Sequence, residues 1–169
     1  VKCYQEGDPT SRESNDVVDT DGGFIVVSEA INLHSMYSIG DRLILIAENG
    51  VWSITGGSNY GFAATNYKVE MLSTFGGIPN KSFVEFGGQG FFWGWDGIYA
   101  IAKNQFGDYE VTNLTKDSND KFFSEIPTQA RLNCQGFVDK SRRQVRWVYV
   151  EGTPFEDAVT KEIVFDLKF

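Results

Sequence analysis

The residues of this sequence that are capable of acid–base or nucleophilic chemistry are few. The single histidine, His34, lies in an alternating apolar stretch, residues 31–36, where a structural strand residue is expected rather than a catalytic base. No Gly-x-Ser-x-Gly motif supplies a nucleophile of the α/β-hydrolase kind. The 23 acidic residues form many chance carboxylate pairs, and no spacing selects one for glycoside hydrolysis. The sequence therefore predicts a protein that is not an enzyme.

Two glycine-rich segments match nucleotide-binding loops only in part. Residues 56–61 have Gly-x-x-x-x-Gly spacing, but Phe62 and Ala63 follow where a phosphate loop carries Lys and Ser or Thr. Residues 88–90 begin like a dinucleotide-binding fingerprint, but Trp93 occupies the position of the third glycine. No cofactor is predicted.

An acidic stretch, residues 16–23, carries Asp16, Asp19 and Asp21. Closely spaced carboxylates suit a hard cation such as Ca²⁺. When Asp19 and Asp21 are aligned with positions 3 and 5 of an EF-hand loop, Val17 and Ser28 fall at positions 1 and 12, where ligands are required. A solvated turn is favoured over a calcium site, and no metal ligand is assigned.

The two cysteines, Cys3 and Cys134, are far apart in the sequence and lie in no Cys-x-x-Cys motif. Two free thiols are favoured, and a long-range disulfide stays as the alternative.

Length and net charge bear on whether the chain folds, binds nucleic acid or crosses a membrane. A chain of 169 residues with 15% aromatic residues is expected to fold as one domain with a substantial core. The net charge of −8 predicts repulsion of duplex DNA, because nucleic-acid-binding proteins present basic surfaces. No apolar run approaches the ~20 residues of a membrane-spanning helix, so a soluble protein without a membrane partner is expected.

Two hairpin signals repeat along the chain. Asn49-Gly50 and Asp96-Gly97 each separate two apolar runs, and this pattern predicts type I′ turns with positive φ at both central residues. The two hairpins superpose at an offset of 47 residues. The offset matches Ile44 with Phe91, Ile46 with Trp93, Val51 with Ile98, Trp52 with Tyr99, and Ile54 with Ile101. A looser third hairpin is expected at residues 135–150, around Trp147.

Further strands are predicted at residues 24–27, 67–71, 82–86 and 162–167, and one short connecting helix at residues 118–126, which Pro127 ends. Repeats of about 47 residues with several short strands are typical of β-propeller blades. The chain is therefore predicted to be an all-β, antiparallel, partial propeller, with a leading loop and strand in residues 1–29 and blade-like repeats in residues 30–169. A β-sandwich is the alternative. Trp93, Trp95 and Tyr99 are expected inside the packing between blades rather than on a binding surface.

The order of these segments resembles the tail nozzle proteins of short-tailed bacteriophages. The resemblance spans nearly the whole chain, and its pieces are short. They are residues 8–10, 17–23, 43–54, 56–57, 61–67, 93–101, 114–127, 136–139 and 145–149.

The resemblance implies a structural virion protein. Several copies, commonly six, form a ring below the portal and adaptor, contact other tail proteins such as fibres, and conduct the genome without binding it specifically. Assembly takes place in the host cytoplasm. Because members of the family are several hundred residues long and this chain begins at Val1, a fragment of a longer polypeptide is expected. Asp16, Asp19 and Asp21 are expected to face the channel or an adjacent subunit. A carbohydrate- or protein-binding β domain, and less favourably a β-scaffold glycosidase, are the alternatives.

Overall fold

The chain folds as an all-β protein, as its sequence predicts. The computed structural model describes residues 25–57, 62, 66–79, 81–116, 120–153 and 156–167. Within these residues, eleven strands are accompanied by two short helices. The strands are β1 (Leu33–Ile39), β2 (Arg42–Ala47), β3 (Gly50–Gly56), β4 (Tyr67–Ser73), β5 (Val84–Phe86), β6 (Gln89–Trp93), β7 (Ile98–Lys103), β8 (Tyr109–Asn113), β9 (Gln135–Asp139), β10 (Gln144–Glu151) and β11 (Val159–Asp166); the helices are α1 (Asp120–Glu125) and α2 (Thr128–Leu132).

The strands form three antiparallel sheets, each built from consecutive strands. Sheet I has the order β1-β2-β3-β4, sheet II has the order β5-β6-β7-β8, and sheet III has the order β11-β10-β9. Sheets I and II are thus four-stranded meanders in which each strand pairs with the next along the chain. The two matching hairpins of the sequence are their second and third strands, whereas the third hairpin, β9–β10, supplies the first two strands of sheet III.

Sheet II lies between the other two sheets and is covered on both faces. Phe92, Tyr99 and Ile101 pack in one core with residues of sheet I. Phe91 and Trp93 pack in another core with sheet III and both helices. Because successive side chains of a strand point to opposite faces, β6 needs the continuous apolar run Phe91-Phe92-Trp93 to fill both cores.

Residues that match at the 47-residue offset face the same direction in their sheets. Ile44, Ile46 and Val51 of sheet I point into the core shared with sheet II. Their counterparts Phe91, Trp93 and Ile98 point onward into the core shared with sheet III. Sheets I and II are therefore equivalent in packing direction as well as in strand order.

The outer face of sheet I is closed by a segment that the sequence analysis predicted as a strand. Ile25, Val27 and Ala30 pack on Leu45 and Trp52, but the described residues 25–27 belong to no strand. The prediction of a strand at residues 24–27 is therefore wrong for these positions, and Phe24 lies outside the described residues. The segment crosses the face of the sheet instead of pairing along an edge.

Hydrogen bonds from the first hairpin corner hold this segment in place. The Asn49 side chain accepts from Ile31 N at 2.8 Å and donates to Glu29 O at 2.9 Å. The backbone of residues 29–31 is thus bonded to the end of the β2–β3 hairpin, and the residues before it lie over the apolar face.

The hairpins at Asn49-Gly50 and Asp96-Gly97 form, but the type I′ turns predicted for them are wrong. Ala47 pairs with Gly50, so the first turn consists of Glu48 and Asn49. In the second hairpin, Gly94 N donates to Gly97 O at 2.8 Å and closes a four-residue turn. None of these turn residues has a positive φ.

Close packing explains why glycine follows the Asn and the Asp. A Cβ on Gly50 would lie 2.7 Å from Ser73 O, at the end of β4. A Cβ on Gly97 would lie 2.8 Å from the amide atoms of Asn113, at the end of β8. In both sheets the glycine therefore leaves room for the end of the fourth strand.

A two-residue turn with positive φ at both positions lies instead at Gly87-Gly88. These residues have φ values of 63° and 77° and join the paired residues Phe86 and Gln89. Of the two glycines in the fingerprint-like residues 88–90, Gly88 is thus part of a hairpin corner and Gly90 lies in β6.

The predicted connecting helix is present, and a second helix follows it. Its described part, Asp120–Glu125, ends before Pro127, and the unpredicted second helix begins directly after that proline. Pro127 stops the first helix because it has no N–H, and its fixed φ suits the start of the next. Arg131 of α2 joins the pieces by donating to Ile126 O at 2.8 Å, Ser124 O at 2.9 Å and Trp95 O at 2.7 Å.

Replacement of Gly97 by Ala is expected to lower the free energy of unfolding by about 2 kcal/mol, because the new methyl group overpacks the end of β8. Gly87→Asn is the control, since a Cβ there meets nothing within 4 Å and Asn tolerates positive φ. Urea denaturation of both variants measures the effect. Equal loss in both would contradict packing against the end of β8 as the reason for glycine at position 97.

Candidate functional site

The largest cluster of buried hydrophobic residues in the described part of the chain is the aromatic-rich core between sheets II and III. Trp93 and Trp147 are fully buried there, with ring centroids 6.3 Å apart, and Phe123 of α1 meets Trp93 edge-on at 5.1 Å. Trp147 Nε1 donates to Ser82 O at 2.7 Å, and Ser82 Oγ accepts from Trp93 N at 2.9 Å. Ser82, in the segment that precedes β5, therefore accepts hydrogen bonds from both tryptophan residues.

The aromatic residues singled out in the sequence occupy different environments. Trp93 and Tyr99 are buried on opposite faces of sheet II, and Trp52 is buried beneath the segment that covers sheet I. Trp95 differs, since 42% of its surface is exposed in the β6–β7 turn. The prediction that Trp95 lies in the interior is therefore wrong, because the turn lifts its side chain beyond the end of the strand pair.

Asp96 and Tyr99 form a polar corner at one end of sheet II. The Tyr99 hydroxyl donates to Asp96 Oδ1 at 2.7 Å. Burial raises the pKa of Tyr99 above its ordinary value, and the neighbouring Asp96 carboxylate raises the pKa further because it disfavours a second negative charge. The hydroxyl thus stays protonated and acts as a donor.

Asn113 and Thr115 complete this corner from the end of β8. Asn113 Oδ1 accepts from Thr115 N at 2.9 Å, Thr115 Oγ1 at 2.9 Å and Lys116 N at 3.0 Å. Thr115 Oγ1 in turn accepts from Ile98 N at 3.2 Å. The chain leaving β8 is therefore anchored to the first residue of β7, beside Gly97.

An open groove of about 700 Å³ begins at the Asp96–Tyr99 corner. Its lining includes Phe75, Asp96, Tyr99, Glu110, Asn113 and Lys116. The Phe75 ring is 56% exposed and stacks on Tyr99, with ring centroids 5.9 Å apart. The groove therefore combines an exposed aromatic ring with two carboxylates and one ammonium group.

A second cavity, of about 540 Å³, contains His34, Lys81, Asn133 and Cys134 in its lining. His34 Nε2 is buried and has no hydrogen-bond partner in the described part of the chain. Burial lowers the pKa of His34, and Glu48 opposes this shift. The imidazole is thus held towards its neutral form, and no described carboxylate accepts a hydrogen bond from its Nε2.

Several predicted positions lie outside the described residues. They are Asp16, Asp19 and Asp21, the whole calcium-like stretch, and Cys3. Among the described residues, no group of three or more His, Cys, Asp or Glu side chains is arranged to hold a metal ion. In the same residues, no helix has the length and apolar character needed to cross a membrane.

Sequence reasoning missed three residues that organise this region: Phe75, Ser82 and Asn113. Phe75 precedes Gly76-Gly77, which resembled an ordinary loop. Asn113 begins an Asn-x-Thr sequence, and its side chain forms the turn that anchors β8 rather than projecting away. The structural role of a Ser or Asn beside a strand can be recognised only when the segments packed against it are known.

Replacement of Tyr99 by Phe is expected to lower the free energy of unfolding by about 1 kcal/mol at pH 7, because the hydrogen bond to Asp96 is lost. The folded-state pKa of Tyr99 is raised, so its contribution is complete below the unfolded pKa of about 10 and declines as the pH rises above it. The difference between wild type and variant should therefore shrink above pH ~10. Urea denaturation across this range tests it, with Tyr37→Phe as the control.

The Cys134 thiol is expected to react with a disulfide reagent only when the chain opens. It is buried, and burial raises the pKa of the thiol, which removes the reactive thiolate. In a Cys3→Ser background, labelling at pH 8 should be at least about 100-fold slower than in urea. A rate that is the same in the folded and unfolded protein would contradict the buried position of Cys134.

Comparison with known proteins identifies no family for this chain. No protein-family model matches it, and no curated protein matches it. The geometry of its own residues therefore carries the functional argument.

Proposed function

We propose that this chain is a structural component of a bacteriophage tail, with its sheets acting as blades of a propeller-type domain in the nozzle. The observation that carries the proposal is the repeated packing direction of sheets I and II. A structural repeat that stacks by the same contact each time is the principle of a β-propeller. The ordered resemblance to tail nozzle proteins supplies the biological context.

The strand order supports this architecture. Sheets I and II are each four-stranded antiparallel meanders, which is the topology of a propeller blade. In a propeller, the first strands of neighbouring blades lie nearest the axis. Here Tyr37 of β1 stacks at 3.6 Å on Phe83, beside β5, and Lys81 bridges to Gln135 at the start of β9.

The same arrangement favours blades over the sandwich alternative. A β-sandwich has two sheets that share one core. Sheet II instead has an apolar core on each face. The described sheets form an open stack, so ring closure in the proposed architecture needs further sheets, which other copies of the chain supply.

The outer face of sheet III supports contact with a neighbour. Phe137, Val150 and Val164 are between 41% and 50% exposed on this face. Phe137 and Val164 flank Arg146 in one row across the three strands. This is the next face in the stacking direction, where a further sheet would pack in the proposed ring.

The acidic charge suits a conduit for DNA. With a net charge of −8, the protein presents a field that repels phosphates and weakens as salt screens it. In this proposal the channel retains and passes the genome without gripping it. The proposed partners are other copies in a ring, the portal and adaptor side of the tail, and fibres, and the proposed location is the virion.

Sedimentation velocity and negative-stain microscopy of the full chain test the proposal. We expect ring-shaped assemblies that Phe137→Ser disrupts while the strand signal in circular dichroism is kept. Phe106→Ser is the matched control, because Phe106 is 81% exposed in the turn between β7 and β8 and should not affect the rings.

Two outcomes would contradict this function. One is a monomer at all concentrations up to about 100 μM, well above the range of stable complexes. The other is retardation of duplex DNA on a gel at low salt, which a repulsive conduit would not produce.

A further inference from the structure

The groove at the Asp96–Tyr99 corner contains an aromatic ring that is not buried in any of the cores. Phe75 stacks one face on Tyr99 and leaves 56% of its surface exposed. Phe91, Phe92 and Trp93 of the neighbouring strand β6 are, by contrast, buried in the cores. An exposed ring at the wall of a groove of about 700 Å³ is the kind of feature that marks a binding site.

The position of Phe75 is fixed by its neighbours on both sides. Phe75 N donates to Ser73 Oγ at 3.0 Å, which forms a tight turn after β4. Gly77 N donates to Ala47 O at 3.0 Å, and Gly77 also bridges to Gly94. The ring is thus preorganised, and a ligand that stacks on it does not have to order a flexible loop.

Two carboxylates, those of Asp96 and Glu110, line the same groove as the ring. Asp96 accepts the Tyr99 hydroxyl, and a carboxylate has about four acceptor positions, so Asp96 keeps capacity for another donor. Glu110 is exposed and forms no ion pair within the described residues. Lys116 contributes the one positive charge among the described residues of the lining, so these residues carry an excess of negative charge.

A guanidinium group fits this combination better than other ligand groups. It stacks flat on an aromatic ring and at the same time donates a fork of N–H groups to a carboxylate. The net charge of −8 favours approach of a basic partner and opposes an anionic one. A neutral saccharide can stack on Phe75 but gains nothing from the excess charge.

We infer that this groove binds an arginine side chain presented by a basic segment of a partner protein. The guanidinium stacks on the open face of Phe75 and donates to Asp96 and Glu110. The site is separate from the outer face of sheet III, so a single copy of the chain is sufficient for binding, with or without ring formation.

The test is an NMR titration in which acetyl-arginine amide, the probe, is added to the isotopically labelled protein and the amide chemical shifts are monitored. We expect shifts at Phe75, Asp96 and Asn113. Acetyl-citrulline amide has the same shape without the charge and should bind about tenfold more weakly. Affinity for the arginine probe should fall as salt is added, because exposed charges are screened.

Variants assign the binding to individual side chains. Phe75→Leu and Glu110→Gln should each weaken binding of the probe several-fold. Lys116→Gln should strengthen it by removing a repulsive charge. Phe106→Leu is the matched control, since this exposed ring lies outside the groove and should leave the affinity unchanged.

Three results would overturn the inference. They are equal binding of the citrulline and arginine probes, shifts from maltotriose at the same amides without shifts from arginine, and full binding by the Phe75→Leu variant. Because this titration reads one copy of the chain, a failure here leaves the ring experiment unaffected, and the absence of rings leaves the groove binding intact.

Discussion

The covering of sheet II on both faces is the constraint on which the rest of the structure depends. A sheet with one wet face tolerates alternating polar residues, but a sheet between two cores requires apolar side chains at successive positions. Phe91, Phe92 and Trp93 meet this requirement in a single strand. Ser82 pairs two buried donors of this region: its hydroxyl accepts from Trp93 N and its carbonyl accepts from Trp147 Nε1.

The two matching hairpin corners use their residues in the same way but bind different partners. In both, the polar residue before the glycine uses its side chain to bind a neighbouring group. Asn49 binds the backbone of the segment that closes sheet I, whereas Asp96 accepts the Tyr99 hydroxyl beside the groove. In both, the glycine leaves space for the end of the fourth strand.

Much of the fold was predictable because apolar periodicity and turn residues report directly on strands. The hairpins at Asn49-Gly50 and Asp96-Gly97 formed where predicted. Their turn type did not follow from the residue pair, because glycine is also required where an adjacent segment leaves no room for a Cβ. Strand β1 was anticipated only as the alternating stretch around His34, and strand β8 was not predicted. The groove escaped because it joins Phe75 to residues 96–116, a contact that local pattern does not encode.

Arg131 lies on helix α2 but also bonds to the turn next to the groove. Its guanidinium holds the carbonyls of Ser124 and Ile126 near the helix junction and the carbonyl of Trp95 in the β6–β7 turn. Asp96 is the next residue after Trp95. One side chain therefore joins the helix junction to the turn that carries the groove carboxylate.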